Sequence, residues 1–180
     1  MLHLICFSFV QHKAMRPRPT TILFLSTGNG LRSLMAEAIL NHQDSCGDEK
    51  FVALSAGIIP KARPNQVMLD LLSENGISCK DLTPKSFYPL LESQFAIFID
   101  VIVTLSEEAK ELCPEWTGGP SQIHWHLPDP MESLTKDELI TKTQKCFYTL
   151  QDRISILTHG SRPLSSLNLA IQMRSLAHVM

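Results

Sequence analysis

The sequence lacks any run of about 18 consecutive apolar residues, so it predicts no transmembrane helix. It also lacks cysteine pairs at metal-ligand spacing. Its five cysteines are odd in number and widely spaced, which argues against a secreted disulfide framework and favours a reducing, cytoplasmic compartment. It contains no internal repeat. The formal net charge of −2 offers no bulk attraction to nucleic acid or to an anionic membrane, so neither is expected as a partner.

The rest of the composition is ordinary for one globular domain, with 180 residues of which 44% are hydrophobic and 19% charged. Short apolar segments alternate with amphipathic ones, which predicts an α/β fold with a four-stranded parallel sheet and helices on both faces. The predicted strands are Thr21–Leu25, Phe51–Leu54, Asp100–Leu105 and Ile123–Leu127. The predicted helices are Arg32–His42, Asn65–Asn75, Ser106–Cys113 and a long helix from a Ser133 or Thr135 cap to Gly160.

These elements place one domain at residues 21–160. Residues 1–20 are expected to be a peripheral extension, because Pro17 and Pro19 interrupt the chain just before the first strand. Residues 161–180 are expected to be a second peripheral extension, either a tail or an extra helix, with no clear place in the core.

The stretch 21–40, TILFLSTGNGLRSLMAEAIL, organises the chain. A buried strand leads into a glycine-bearing loop and then into a helix, an order that makes a phosphate loop from backbone N–H groups and the helix dipole. Arg32 adds a planar fork that can hold two oxygens of a tetrahedral anion. Gly28 and Asn29 are expected at positive φ. The expected oxyanion-binding residues are Thr27, Gly28, Asn29, Gly30, Leu31, Arg32 and Ser33.

The loop motif and several later motifs resemble those of the low-molecular-weight protein tyrosine phosphatases, and specifically their arsenate reductase branch. The family carries Cys-Thr-Gly-Asn-Ser-Cys-Arg-Ser where this chain has Ser-Thr-Gly-Asn-Gly-Leu-Arg-Ser at residues 26–33. The other matching segments are Met35-Ala36-Glu37, Ser55-Ala56-Gly57-Ile58 with Pro60, Val103-Thr104-Leu105, Cys113-Pro114 and the acid loop at residues 124–130. The Ser-Ala-Gly-Ile-x-Pro stretch, and Met131 and Glu132 in place of a tyrosine after the Asp-Pro pair, favour the reductase branch.

The resemblance implies catalytic roles for Ser26, Arg32 and Asp129. Ser26 stands where the family has its cysteine nucleophile, and Asp129 matches the general acid that protonates the leaving oxygen. A serine hydroxyl is a much weaker acid than a thiol, so it would need an adjacent base to attack. His124 and His126 border the acid loop, but nothing in the sequence shows that either reaches Ser26.

The redox relay implied by the reductase branch is incomplete here. Ser106 aligns with the first relay cysteine and Cys113 with the second, while Leu31 replaces the second cysteine of the loop. A disulfide cascade needs at least a pair of thiols, so Cys113 and Ser106 are interpreted as remnants.

A further implied feature is the monovalent cation that some reductases hold at positions matching Glu37, Asn29 and Ser55. The alternative is a hydrogen-bonded glutamate that braces the loop, which we favour. We therefore expect no metal and no cofactor.

Three functional hypotheses follow. The first is a homologue that still binds phosphate, arsenate or a phosphorylated substrate but lacks its nucleophile, through natural loss or an engineered exchange. Changes at Gly30, Leu31 and Ser106 together favour natural loss, because an engineer would change one residue. The second is an active phosphomonoester hydrolase that uses Ser26 with a histidine base. The third is a partner-binding module with no oxyanion role.

Overall fold

The computed structural model describes residues 18–45, 50–92, 98–116, 118–132, 135–159 and 166–178. Four strands form one sheet: β1 (Thr20–Ser26), β2 (Phe51–Gly57), β3 (Val101–Thr104) and β4 (Ser121–His124). All neighbouring strands are parallel, in the order β2-β1-β3-β4. The predicted α/β fold is confirmed, and β1 lies inside the sheet, as its apolar residues on both faces require.

Within the described residues, six α-helices connect and cover the strands: α1 (Arg32–Ser45), α2 (Gln66–Glu74), α3 (Tyr88–Glu92), α4 (Glu107–Glu111), α5 (Lys136–Thr158) and α6 (Ser166–Leu176). Side chains of Asn65, Ser106 and Thr135 cap α2, α4 and α5, which confirms three predicted helix starts. The alternative cap Ser133, the helix end at Gly160 and residues 1–17 lie outside the described residues. None of the described helices combines the length and apolar content needed to cross a bilayer.

Apolar side chains pack on both faces of the sheet. The larger cluster joins α1, α5 and α6 to one face and includes Phe24, Trp125 and Phe147. The smaller one packs Phe87 and Trp116 against the opposite face. The predicted placement of helices on both faces is confirmed, and burial of this apolar area provides most of the driving force for folding.

Helix α6 corrects the expectation that residues 161–180 have no place in the core. Four of its side chains belong to the larger cluster: Leu169, Ala170, Met173 and Leu176. The carbonyl of Met173 also accepts a hydrogen bond of 2.7 Å from Trp125 Nε1. Of the two forms considered for this segment, the extra helix is the one observed, and it seals the fully buried indole.

Strand β4 begins and ends earlier than the predicted Ile123–Leu127. The chain leaves the regular ladder after His124, yet Trp125 N and Leu127 N still donate to Thr104 O and Leu105 O. Both side chains remain buried. Burial alternates along residues 125–127 as it does in a strand, but these residues lie in the loop that leads to Asp129.

Asp100 joins the start of β1 to the segment before β3. Its carboxylate accepts two hydrogen bonds of 2.7 Å from Arg18 and one of 2.9 Å from Thr21 N. Burial acts to raise the pKa of Asp100, but these hydrogen bonds outweigh it and the pKa is lowered.

We expect Asp100→Asn to lower the free energy of unfolding by about 1 kcal/mol at neutral pH, since solvent screens the half-exposed Arg18. A lowered folded-state pKa stabilises the protein above the unfolded value of about 3.9, and this stabilisation is lost as pH falls through the folded pKa. Urea unfolding of both forms from neutral to acidic pH tests this. A difference that persists in acid would contradict the assignment.

Candidate oxyanion site

The candidate site is the loop at the carboxyl end of β1, where ligands of parallel α/β sheets bind. Loop residues 26–32 line one side of an open cavity of about 740 Å³. Asp129 and Met131 line another side, as do residues 59 and 61–66. The structure therefore brings the predicted loop and the predicted acid to the same cavity.

The loop is held in shape by the segment that follows β2. The N–H groups of this segment donate to loop carbonyls in four hydrogen bonds of 2.8 to 3.2 Å: Ile58 to Ser26, Ile59 to Thr27, Lys61 to Gly28 and Asn65 to Gly30. Because these carbonyls point to the bracing segment, and the C=O and N–H of a planar trans peptide point in opposite directions, the amides that follow them point away from that segment. This is the arrangement that a backbone anion cradle needs.

The backbone of the loop depends on Asn29 and on Gly57, which approaches it from the end of β2. Asn29 has φ +44°, as predicted, whereas Gly28 is absent from the positive-φ residues, so that expectation is wrong. Gly57 at the end of β2 is required by close approach, because a Cβ there would lie 2.9 Å from Asn29 Cβ and 3.0 Å from Asn29 N. The need for glycine thus falls on the neighbouring strand.

Ser26 lies buried at the base of the loop. Its Oγ is 2.7 Å from Ser33 Oγ and accepts a hydrogen bond of 3.2 Å from Asn29 N. Among the described contacts, no histidine reaches this oxygen, because the rings of His124 and His126 face Glu107. The hydroxyl of Ser26 is therefore positioned but has no visible base.

Arg32 connects the loop to the acid. The guanidinium donates to Asp129 Oδ2 at 2.7 Å and to Leu127 O at 2.9 Å, and only 7% of the residue is exposed. Two of its five N–H groups are used in this way, which leaves three for other partners. Asp129 Oδ1 also accepts from Met131 N at 3.0 Å, so this aspartate closes its own turn while it pairs with Arg32.

Glu37 braces the loop from behind. It accepts a hydrogen bond of 2.5 Å from Ser55 Oγ and pairs with Lys85 Nζ at 2.9 Å. Asn29 Nδ2 donates to Ser55 and Ser33, and Asn29 Oδ1 accepts from Lys85 N. The arrangement does not fit a monovalent cation, because Lys85 Nζ lies within 3.2 Å of both carboxylate oxygens of Glu37 and occupies the place of the ion.

Leu31 and Thr27 line the cavity and also contact neighbouring elements. Leu31 is 4% exposed and packs in the larger core cluster, so its bulk enters the core. Thr27 Oγ1 is 3.0 Å from Ser106 Oγ, which also caps α4.

No described cysteine lines the cavity. Cys113 is half-buried against the smaller cluster, and burial raises its pKa. Burial raises the pKa of Cys146 to about 12, so this thiol is unreactive. Among the described residues, therefore, no cysteine thiol lies at the cavity.

The positive wall of the cavity was not anticipated from the sequence. Lys61 and Arg63 line it from the bracing segment beside the loop, and the Lys61 side chain lies about 3.1 Å from where a Cβ on Gly28 would stand. Their signal in the sequence is the Lys-Ala-Arg-Pro stretch directly after the second strand. With Arg32 they make the cavity attractive to anions.

Comparisons with known proteins identify the family of this chain. The model of the family described as low molecular weight phosphotyrosine protein phosphatase matches residues 21–159. An arsenate reductase of Halalkalibacterium halodurans is 33% identical over 118 residues, which are 65% of this chain and 78% of that protein.

Among solved structures, an arsenate reductase from Archaeoglobus fulgidus has 25% identity and a TM-score of 0.55, over 74% of this chain and 98% of that one. A structure of the YwlE arginine phosphatase with a phosphorylated active site serine has 20% identity and a TM-score of 0.55, over 81% of this chain and all of that one. The second likeness shows the fold alone. The chain belongs to the low-molecular-weight phosphotyrosine protein phosphatase family, which confirms the resemblance drawn from its motifs.

Proposed function

We propose that this chain binds phosphate- or arsenate-like oxyanions in loop 26–33 and that Ser26 leaves it catalytically impaired. The observation that carries the proposal is that the bracing segment binds four loop carbonyls beside a cavity lined by Arg32, Lys61 and Arg63. Peptide planarity turns the amides that follow these carbonyls away from the bracing segment, which leaves them available to an anion. A preformed ring of N–H donors with basic side chains binds a tetrahedral anion without rearrangement of the loop.

The impairment follows from the surroundings of Ser26. The cradle lowers the pKa of a thiol into the range where a thiolate forms, but a hydroxyl needs a base that removes its proton. Ser33 and Asn29 N, its described partners, are a neutral hydroxyl and an amide donor. Neither can take a proton at neutral pH, so attack on phosphorus or arsenic is slow.

Asp129 retains the position for leaving-group protonation, since it lines the cavity beside Arg32. A thiol at position 26 would therefore lie near both Asp129 and the anion-binding Arg32.

Free thiols at Cys79, Cys113 and Cys146 accord with the reducing, cytoplasmic compartment that forms part of the proposal.

The test compares the chain as given with Ser26→Cys, using Ser78→Cys as a matched control on an exposed loop. Binding of inorganic phosphate and arsenate is measured by calorimetry, and turnover by release of the aryl alcohol from a small aryl phosphate. We expect anion binding by all three forms and turnover by Ser26→Cys alone. Turnover by the unmodified chain would overturn the impairment, and absence of anion binding by every form would overturn the oxyanion role.

Intact-mass measurement after incubation with the aryl phosphate shows which step of the reaction is blocked, attack by Ser26 or release of the phosphoryl group. In the YwlE structure a serine carries the phosphoryl group. A phosphoryl group that accumulates on Ser26 here would place the block at its release, whereas an unmodified chain would place it at attack. We expect the unmodified chain, because the described contacts give Ser26 no base.

A further inference from the structure

Two imidazoles and a carboxylate meet on the surface between α4 and the end of β4. His124 Nε2 lies 2.9 Å from Glu107 Oε1, and His126 Nδ1 lies 3.4 Å from the same oxygen. One ligand atom from each residue lies within 4.8 Å of the others. Tetrahedral metal–ligand bonds of about 2.0–2.2 Å put ligand atoms roughly 3.3–3.6 Å apart, so the three atoms need little movement to enclose an ion.

Thr104 orients the imidazole ring of His124 from behind the cluster. Thr104 Oγ1 is 2.9 Å from His124 Nδ1 and donates to Ile123 O at 3.4 Å. The contact with Thr104 fixes the orientation of the His124 ring and so turns Nε2 toward Glu107 Oε1, which lies 2.9 Å away. In the tautomer that carries its proton on Nδ1, Nε2 offers its lone pair to a cation at this point.

The second carboxylate oxygen is already satisfied. Lys110 Nζ pairs with Glu107 Oε2 at 3.2 Å and so leaves Oε1 to the histidines. The cluster is open to solvent on one side, with His126 and Glu107 side chains 55% and 52% exposed and His124 21% exposed. An ion can therefore enter from solvent and keep a water as its fourth ligand.

We infer that Glu107, His124 and His126 form a binding site for a divalent transition metal, with Zn²⁺ the ion that two imidazoles and one carboxylate suit best. The ligand set, with its hydrogen-bonded outer shell at Thr104, is of the kind that borderline-soft ions prefer over Ca²⁺ or Mg²⁺. The site is separate from the oxyanion loop and does not depend on the proposed function.

Such an ion would join two segments that border the cavity. Glu107 follows Ser106, which contacts Thr27 in the loop, and His126 lies three residues before Asp129. The metal would therefore fasten α4 to the segment that carries Asp129. Because the ion binds only the folded arrangement, it would also raise the resistance of the chain to unfolding.

The test titrates the metal-free full chain with Co²⁺ and with Zn²⁺, and compares it with His126→Ala and Glu107→Gln. His42→Ala, which removes an exposed histidine on α1, is the matched control. Calorimetry gives stoichiometry and affinity, while the Co²⁺ absorption spectrum separates nitrogen and oxygen ligands from cysteine thiolate, which adds an intense near-ultraviolet band. Circular dichroism in the presence of chelator confirms that each variant is folded.

We expect one Co²⁺ per chain with a spectrum free of thiolate absorption. Affinity should fall at least about tenfold in each ligand variant and stay unchanged in His42→Ala. The absence of saturable binding, a thiolate spectrum, or an affinity in His126→Ala and Glu107→Gln as high as in the unmodified chain would each overturn the inference.

Discussion

Arg32→Ala should weaken the binding of inorganic phosphate by about 100-fold, because removal of one partner from a buried charged contact costs about 2–5 kcal/mol. Arg32 is the only one of the three basic cavity residues classed as buried, and its N–H groups are fixed by Leu127 O and Asp129. Loss of the fork removes both the charge and the two-point contact with the anion. Titration calorimetry with phosphate measures the effect.

Arg32→Lys and Arg174→Ala complete the experiment. Lysine keeps the charge but not the planar fork, so its affinity should lie between those of the original chain and Arg32→Ala. Arg174 is exposed on α6 and does not line the cavity, and its removal should leave phosphate affinity unchanged. Equal affinity in Arg32→Ala and Arg174→Ala would remove Arg32 from the site.

Trp125→Ala should lower the free energy of unfolding by about 3–5 kcal/mol, a large part of the 5–15 kcal/mol typical of a domain. The indole is fully buried, lies 6.2 Å from the ring of Phe24 and has the Arg153 guanidinium 5.7 Å from its centroid. Its Nε1 donates to Met173 O, so the mutation also removes this hydrogen bond to α6. Urea unfolding followed by circular dichroism measures the loss.

Trp125→Phe separates packing from the hydrogen bond. It keeps most of the ring volume and should cost less than the alanine variant, since it removes mainly the bond to Met173. Trp116→Ala is the matched control, because that indole is partly exposed in the smaller cluster. A loss in Trp125→Ala no larger than in Trp116→Ala would contradict the role assigned to Trp125.

The sequence predicts the loop well because its information is local. Strand, turn and helix follow one another within residues 21–40, and the helix caps Asn65 and Ser106 act within three residues of themselves. Local patterns of this kind need no knowledge of distant partners.

The features missed from the sequence depend on contacts between distant segments. The place of α6 is set by Trp125, whose partner Met173 lies 48 residues away. The cluster of Glu107 with His124 and His126 could not be predicted, because Glu107 meets His124 across 17 residues only after β3 and β4 have paired. The requirement for glycine at position 57 likewise exists only once β1 and β2 lie side by side.

The hydrogen bonds from residues 58–65 to the loop carbonyls have an entropic consequence. A free loop would have to be ordered by its ligand, at roughly 1–2 kcal/mol for each residue fixed. Here the hydrogen bonds from residues 58–65 already order it, so an arriving anion would keep most of its contact energy as affinity. The shape of the loop is thus held by backbone hydrogen bonds that do not involve the side chain at position 26.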